Sequence, residues 1–354
     1  MDFNNYRTDL PVLLLYNLDP SWPQEDILDS RATTQHLVDA LAEVGHPIQA
    51  VCIQSVELET ALVGFSPDEH LIVNWCEELP GIPHSESLVV QTLERMGFTY
   101  TGTASHALAL SQDKRMVKRR LQKCQIPTPA WQVYTSIHNI QWKRFPAIVK
   151  PAFEHCSLGI TREGVVQSIT ELVKRIQYVL DELHQPALVE EFIDGREFHV
   201  GVIGNGVLRV LPPAEIDYSV FDDIHDRLCT YESNFDKTSP AYHSTKLKLL
   251  AVLANDQLCS LEEVVIAAYD ATDCRDYARM DIRLYDGTFY VLDVNHNADI
   301  SPDTSLVMTA ELVGFSYGQF CSQLVNLAAH RHPVFGQRNS KVADIERSMF
   351  LWQE

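Results

Sequence analysis

Residues 278–297, ARMDIRLYDGTFYVLDVNHN, concentrate side chains that can handle charge. Even positions are apolar (Met280, Ile282, Leu284, Tyr290, Leu292, Val294), and odd positions include Arg279, Asp281, Arg283, Asp293 and Asn295. Strand side chains alternate faces with a period of two, so the segment reads as a hairpin with one apolar and one charged face. The apolar face must continue across both strands to be buried. A two-residue Asp286-Gly287 turn would pair even with odd positions and break that continuity. The pattern therefore predicts a three-residue loop, Tyr285-Asp286-Gly287, with the glycine left-handed. In that register Arg279, Asp281, Asp293 and Asn295 gather at one end. Two carboxylates and an amide oxygen form a hard-oxygen set suited to Mg²⁺, which takes few protein oxygens beside phosphates. Arg279 could stabilise negative charge as it develops. A solvated face, with Asp and Arg paired in water, uses the same residues; their clustering at one end favours a site.

Other charged groups admit two readings each. Lys150 ends the apolar run Phe145–Val149. A strand lysine is costly to bury without a partner, and a nucleotide phosphate or bulk water would serve. The stretch PAFEHCSLG that follows, with Ser157 and Gly159, reads as a lid over phosphates or as a plain surface loop. Lys114 opens a strongly basic helix, most of whose cations read as solvated. Glu190, Glu191 and Glu197, within LVEEFIDGREF, could accept from an adenine amine or ribose hydroxyls, or be surface acids. No GxxxxGK[ST] loop and no strand–GxGxxG–helix context is found, and GVIGNG at 201–206 reads as a hairpin turn. The histidines lack metal-ligand spacing, and Asp222, Asp223 and Asp226 read as solvated acids.

These groups need elements to hold them. Residues 11–16, 48–53 and 70–74 read as strands, separated by a helix over 24–44 that Gly45 ends, and followed by a helix from Ser85 to Gly97. Strands alternating with helices imply a parallel open sheet over the first 105 residues. The polar run Asn74-Trp75-Cys76-Glu77-Glu78 falls at a strand C-terminus, where such sheets bind ligands. Ser111 is read as the cap of the basic helix 112–124. Strands at 131–134 and 146–150, a helix over 170–183, a strand at 187–193 and a hairpin at 196–211 suggest an α+β unit. Residues 212–245 are long, polar and without a periodic pattern, a stretch expected to be functional or disordered. A helix over 245–271 is expected to pack on the 278–294 hairpin, with two more helices at 302–313 and 316–330 and a polar tail at 336–354.

The chain has 354 residues, 28 Lys+Arg and 48 Asp+Glu, a formal net charge of −20. That balance opposes nucleic acid as a partner, since phosphate backbones are bound by clustered cations. It also opposes a basic membrane-surface role. No apolar run approaches the ~20 residues of a membrane span. The start MDFNN has neither a basic n-region nor a long apolar run, so no secretory signal is expected. The eight cysteines are irregularly spaced with no CxxC, which suggests free thiols in a reducing cytoplasm.

The motifs resemble an ATP-grasp enzyme of the D-alanine–D-alanine ligase type. The resemblance is carried in order by YTGTASHALALSQDK (100–114), IPTP (126–129), FPAIVKPAFEHCSLGI (145–160), LVEEFIDGREF (188–198), LPPAEIDY (211–218), residues 278–295 and ISPDTS (300–305). It implies an α/β and α+β architecture: an N-terminal Rossmann-like domain over 1–105, a central ATP-grasp domain with the phosphate lid over 106–205, a C-terminal ATP-grasp domain with the metal site over 206–335, and a 336–354 tail. The activity implied is ATP-dependent amide formation between amino acids through an acyl-phosphate. The resemblance assigns Lys114 and Lys150 to ATP phosphates, Glu190 to the adenine side, Glu191 and Phe192 to the adenine hinge, and Glu197 to the ribose. It assigns Asp281, Asp293 and Asn295 to two Mg²⁺ ions, with Mn²⁺ as a substitute, Arg279 to the acyl-phosphate, and Ser157 to the lid. It also implies small-molecule substrates and a homodimer. Several positions depart from the family pattern. NLDPSWPQED stands where a glycine-rich turn with Ser and Glu holds the first amino acid, leaving Glu25 as a substitute. The acid bridging the metals is Asp293 instead of Glu. Asp299 replaces a small glycine ahead of the substrate residues Thr304 and Ser305. Cys156 replaces the first lid serine, and Asn234-Phe235 replace a Lys–Tyr pair. These changes leave open a specialised ligase with other amino acids or another amine, or a non-catalytic ATP-binding protein.

Overall fold

The computed structural model describes residues 7–154, 157–230 and 245–336. His155, Cys156, Asn234, Phe235 and the tail beyond 336 lie outside the described residues. Three sheets carry the architecture. In the first, β1 (Val12–Asn17), α1 (Gln24–Glu43), β2 (Ile48–Ile53), α2 (Leu58–Leu62), β3 (Leu71–Trp75), α3 (Glu86–Met96) and β4 (Thr99–Tyr100) alternate, and the strands run parallel in the order β2-β1-β3-β4. β1 reads VLLLYN because both its faces are covered, as a central parallel strand requires. Gly45 and Gly97, both with positive φ, stop α1 and α3.

Two helices follow, α4 (Ser105–Ser111) and the basic α5 (Lys114–Lys123). Ser111 closes α4 and does not cap α5. Asp113 does, accepting a hydrogen bond from the Arg115 N–H, and its carboxylate offers the stronger acceptor for the helix N-terminus. The second sheet is antiparallel in the order β5-β8-β6-β7, formed by β5 (Trp131–Tyr134), β6 (Ala147–Pro151), β7 (Val165–Val166) and β8 (Ala187–Glu191), with α6 (Ile169–Asp181) before β8.

The third sheet runs β12-β11-β9-β13-β14, with β10 also paired to β9. Its elements are β9 (Arg196–Asn205), β10 (Val207–Val210), β11 (Ala214–Asp217), β12 (Lys246–Lys248), α7 (Asn255–Ala271), β13 (Asp276–Tyr285) and β14 (Thr288–Asn295), followed by α8 (Ser305–Leu312) and α9 (Tyr317–Ala329). The stretch read as patternless thus contains β11. It pairs with β12, tied by the Lys248–Asp217 ion pair at 2.8 Å, which is why α7 begins at 255 and not at 245. β9 belongs to this sheet, so residues 196–205 pair with the C-terminal strands. Leu261, Val265, Ala268 and Tyr269 of α7 bury the apolar side of the β13–β14 hairpin, together with Val117 and Leu121 of α5.

α9 is buried on nearly every side and starts in a capping box, Ser316 with Gln319. Its Phe320, Leu324 and Leu327 share one core with β1, α1 and β3 of the first sheet and with Ile203 and Tyr277 of the third. Among the described residues, no helix is long and apolar enough to cross a membrane.

Candidate active site

The hairpin solves its continuity problem differently from the expectation. Tyr285 pairs with Thr288, so the turn has two residues, Asp286 and Gly287, both with positive φ. The register then shifts: Ile282 faces Val291 whereas Asp281 faces Asp293, leaving Leu292 as the extra residue of a β-bulge. Phe289, Val291 and Val294 are therefore the buried residues of β14, and Tyr290 and Leu292 are only partly covered. Beyond the bulge Arg279 faces Asn295 and Asp281 faces Asp293, so the four polar groups do gather on one face.

That face is tightly wired. Arg279 grips Asp281 through two hydrogen bonds, Nε–Oδ1 at 2.8 Å and an Nη at 3.2 Å from Oδ2. Asn295 Nδ2 donates to Asp281 Oδ2 at 3.0 Å. His199, opposite Asp281 on β9, lies 3.7 Å from it and 3.1 Å from Ser305 Oγ. Burial pushes the Asp281 carboxyl up, but the charge and hydrogen bonds of Arg279 hold it below the usual aspartate range. Burial and then Arg279 lower His199, favouring neutral imidazole. Asp293 receives the Lys114 ammonium, and the Lys114 backbone N–H donates to Ala152 O at 3.1 Å, so Lys114 spans the second and third sheets.

The second sheet presents an acid between two ammonium groups. Glu190, on β8 beside β6, lies 2.8 Å from Lys150 Nζ and 2.9 Å from Lys118 Nζ. Glu190 and Lys118 are almost wholly buried. Burial alone would raise the Glu190 carboxyl, but Lys118 and then Lys150 bring it down to about 2. Lys118 is further held by Thr128 Oγ1 at 2.8 Å and Leu292 O at 3.0 Å. The remaining groups on this side are also engaged. Glu197 is buried against Arg283 at 2.7 Å, Glu191 pairs with Arg144 at 2.9 Å, and Phe192 is buried with the Arg283 guanidinium 4.6 Å from its ring centre. Ser157, in the stretch expected to form a lid, has a positive φ.

The substrate-side candidates are more dispersed. Thr304 Oγ1 donates to Ser301 O at 2.8 Å at the start of α8, and Ser305 is buried beside His199. Asp299 is exposed and accepts from the N–H and hydroxyl of Ser301. Glu25 is exposed in the first turn of α1.

Sequence reasoning missed four groups. Lys118 lies one helical turn beyond Lys114, a spacing that puts both on one face of α5 and could have marked it. Arg283 shares the odd-numbered face of β13 with Arg279 and Asp281. His199 and Asn297 gave no local signal, because their partners are distant in sequence. Asn297 donates to Glu86 at 2.6 Å and accepts from the Thr103 N–H at 2.9 Å.

The model of the family described as D-ala D-ala ligase C-terminus matches residues 123–326, which include Lys150, Glu190, Arg279, Asp281, Asp293 and Asn295. The chain belongs to the D-alanine–D-alanine ligase family. It is 31% identical over 325 residues to the protein y4sG of Sinorhizobium fredii, covering 88% of this chain and 90% of that one. With the D-alanine–D-alanine ligase of Aquifex aeolicus it shares 29% identity over 305 residues, 84% of this chain and 94% of the relative. Among solved structures, the D-alanine–D-alanine ligase of Bacillus anthracis complexed with ATP superposes with a TM-score of 0.70 at 20% identity, covering 91% of this chain and 98% of that one. The Coxiella burnetii ligase gives 0.68 at 17% identity, over 97% and 99%. The fold of this family member is therefore ATP-grasp, with the open α/β sheet preceding it.

Proposed function

We propose that the chain is an ATP-dependent ligase that phosphorylates the carboxylate of one amino acid and joins the acyl-phosphate to the amine of a second substrate. The observation that carries this reading is the meeting of Arg279, Asp281, Asp293 and Asn295 on the third sheet with Lys114, which reaches them from the first turn of α5. Family membership supports ATP as the phosphoryl donor. The relatives' names make D-alanine the default substrate, and Asp299 and the β1–α1 turn are where this chain differs.

The donor set fits Mg²⁺. Among the described residues no three His, Cys, Asp or Glu side chains form a metal site on their own. Asp281 and Asp293 face each other directly, with Arg279 and Lys114 as their counter-charges within the protein. Two carboxylates and the Asn295 oxygen make an incomplete shell that phosphate oxygens would complete. When bound, one or two such ions neutralise charge on the phosphoryl oxygens. Lys114 and Lys150 would bind the phosphates. Arg279, fixed by Asp281, would face the transferring group and stabilise its charge. Glu190 would keep Lys150 extended and charged, and residues 151–160 would cover the phosphates and exclude water from the intermediate.

The test is amine-dependent release of ADP and phosphate across a panel of D- and L-amino acids and simple amines, with mass analysis of the product. A product heavier by the sum of two substrates less water is expected. ATP binding with no turnover for any amine would instead leave a non-catalytic nucleotide-binding protein.

A further inference from the structure

The polar run at the end of β3 takes no part in the ATP chemistry, yet it lines a small pocket between the first and third sheets. Asn74 and Glu77 approach from β3 and the turn after it, Glu86 from the first turn of α3, Tyr277 from β13, and Asn297 and Asp299 from the segment leaving β14. Three carboxylates thus border one space, and none of Glu77, Glu86 and Asp299 pairs with a cation among the described residues. Glu86 is partly buried, and its carboxyl is pushed up to about 7 by burial and by the neighbouring Glu77, against the opposing hydrogen bond from Asn297. Glu77 stands at the accessible mouth, where water reaches it.

A second, independent feature points inward. Tyr277 is 3% exposed, and its hydroxyl makes no hydrogen bond to any described residue. The hydroxyl opens onto the pocket, where a bound polar group can take its hydrogen bond. Asn74 is 8% exposed; its oxygen accepts from the Cys76 N–H, and its side-chain nitrogen donates to no described residue. The pocket is narrow, with room for a group about the size of a water molecule or an ammonium.

Its position relates it to the reacting centre. Tyr277 and Arg279 lie on the same face of β13, two residues or about 7 Å apart along the strand. The pocket also lies at the C-terminal edge of a parallel sheet, where open α/β folds receive ligands.

We infer that this pocket is an ammonium subsite that selects a diamino acid, whose terminal ammonium sits among Glu77, Glu86 and Asp299 and hydrogen-bonds the Tyr277 hydroxyl while its carboxylate end lies toward Arg279. The inference rests on the ligase reading for the carboxylate's role, and the pocket itself can be tested apart from turnover. The subsite gives Asp299 a use: a carboxylate added at the substrate end of the cleft complements a cationic side chain and repels a second acid.

The experiment compares ornithine with norvaline, which has the same carbon chain without the terminal amine. Each is titrated in both enantiomers into the full chain by calorimetry, with a non-hydrolysable ATP analogue and Mg²⁺. Ornithine of one hand is expected to bind at least tenfold more tightly than norvaline. Glu86→Gln and Asp299→Asn should each reduce that preference to about threefold or less, and Glu86→Gln should leave norvaline affinity unchanged within twofold. Tyr277→Phe should reduce it by about threefold. Equal affinity for the two ligands, binding of neither, or a preference that persists in both carboxamide variants overturns the subsite. ADP release with alanine of either hand is measured in parallel. Turnover with alanine but no ornithine preference removes the subsite and keeps the ligase. Ornithine preference with no turnover for any amine keeps the subsite and removes the ligase.

Discussion

Glu190 Oε2 lies 2.8 Å from the ammonium of Lys150, and the other carboxylate oxygen lies 2.9 Å from Lys118, so one buried acid holds two buried bases. The trio has a net charge of +1 before any phosphate arrives. Lys150 is thereby held charged: burial would lower it, but Glu190 more than offsets the effect.

Glu190→Gln leaves two ammonium groups facing each other with no counter-charge. Breaking a buried pair in this way costs about 3–5 kcal/mol. Urea unfolding at pH 7 should show a loss of that order, and a loss below about 1 kcal/mol would show that solvent already screens the trio.

The same carboxyl gives a pH signature. Its folded value of about 2 lies below that of an unfolded glutamate, so the unfolded chain binds the proton first as pH falls. The stability it contributes is complete above the ordinary glutamate range and is lost between there and about pH 2. Replacing Glu190 with Gln should flatten this acid limb in a melting-temperature profile.

Glu86 predicts the opposite slope. Its folded carboxyl sits at about 7, above the unfolded value, so between the ordinary glutamate range and pH 7 the folded state keeps a proton that the unfolded state has lost. Stability from this site falls as pH rises through that window. Glu86→Gln should therefore raise the melting temperature at pH 8 relative to pH 5, and an identical shift at both pH values would refute the assignment.

Asp281→Asn should reduce ligase turnover by roughly a hundredfold or more, comparable to losing one well-aimed electrostatic contact in an active site. It also takes the counter-charge from the Arg279 guanidinium, so the metal-free fold should lose stability as well. Phosphate release and a thermal melt, run on the same preparation, separate the two effects.

Gly102 has φ +92°, and a Cβ there would collide with the Asn297 side chain. Gly102→Ala should cost about 1–3 kcal/mol through backbone strain and displacement of Asn297. Crystallography or NMR of the variant should find the Asn297–Glu86 hydrogen bond broken, and an unshifted Asn297 with unchanged stability would rule this out.

Much of the architecture was legible because it rests on local rules. The VLLLYN run, the glycines at 45 and 97 and the alternation from Met280 to Asn295 each carry their own periodicity or backbone requirement. The hairpin shows where legibility stopped. Two-residue periodicity correctly required an adjustment, but a longer loop and a bulge both restore it, and packing against α7 selects the bulge at Leu292. β11 was hidden because AEID is short and its partner β12 lies beyond residues 231–244. Lys118 read as one more solvated cation because its partner Glu190 is 72 positions away in the chain, and only the meeting of α5 with the second sheet creates the need for it.

α9 has one further consequence, for the order in which the molecule is made. The first hundred or so residues emerge from the ribosome first, but the core beneath β1, β3 and α1 is completed by Phe320, Leu324 and Leu327 near the other end of the chain. The nascent N-terminal sheet must wait with an apolar face uncovered until α9 is synthesised. A product terminated ahead of Tyr317 would keep a sticky surface that quality-control chaperones can recognise.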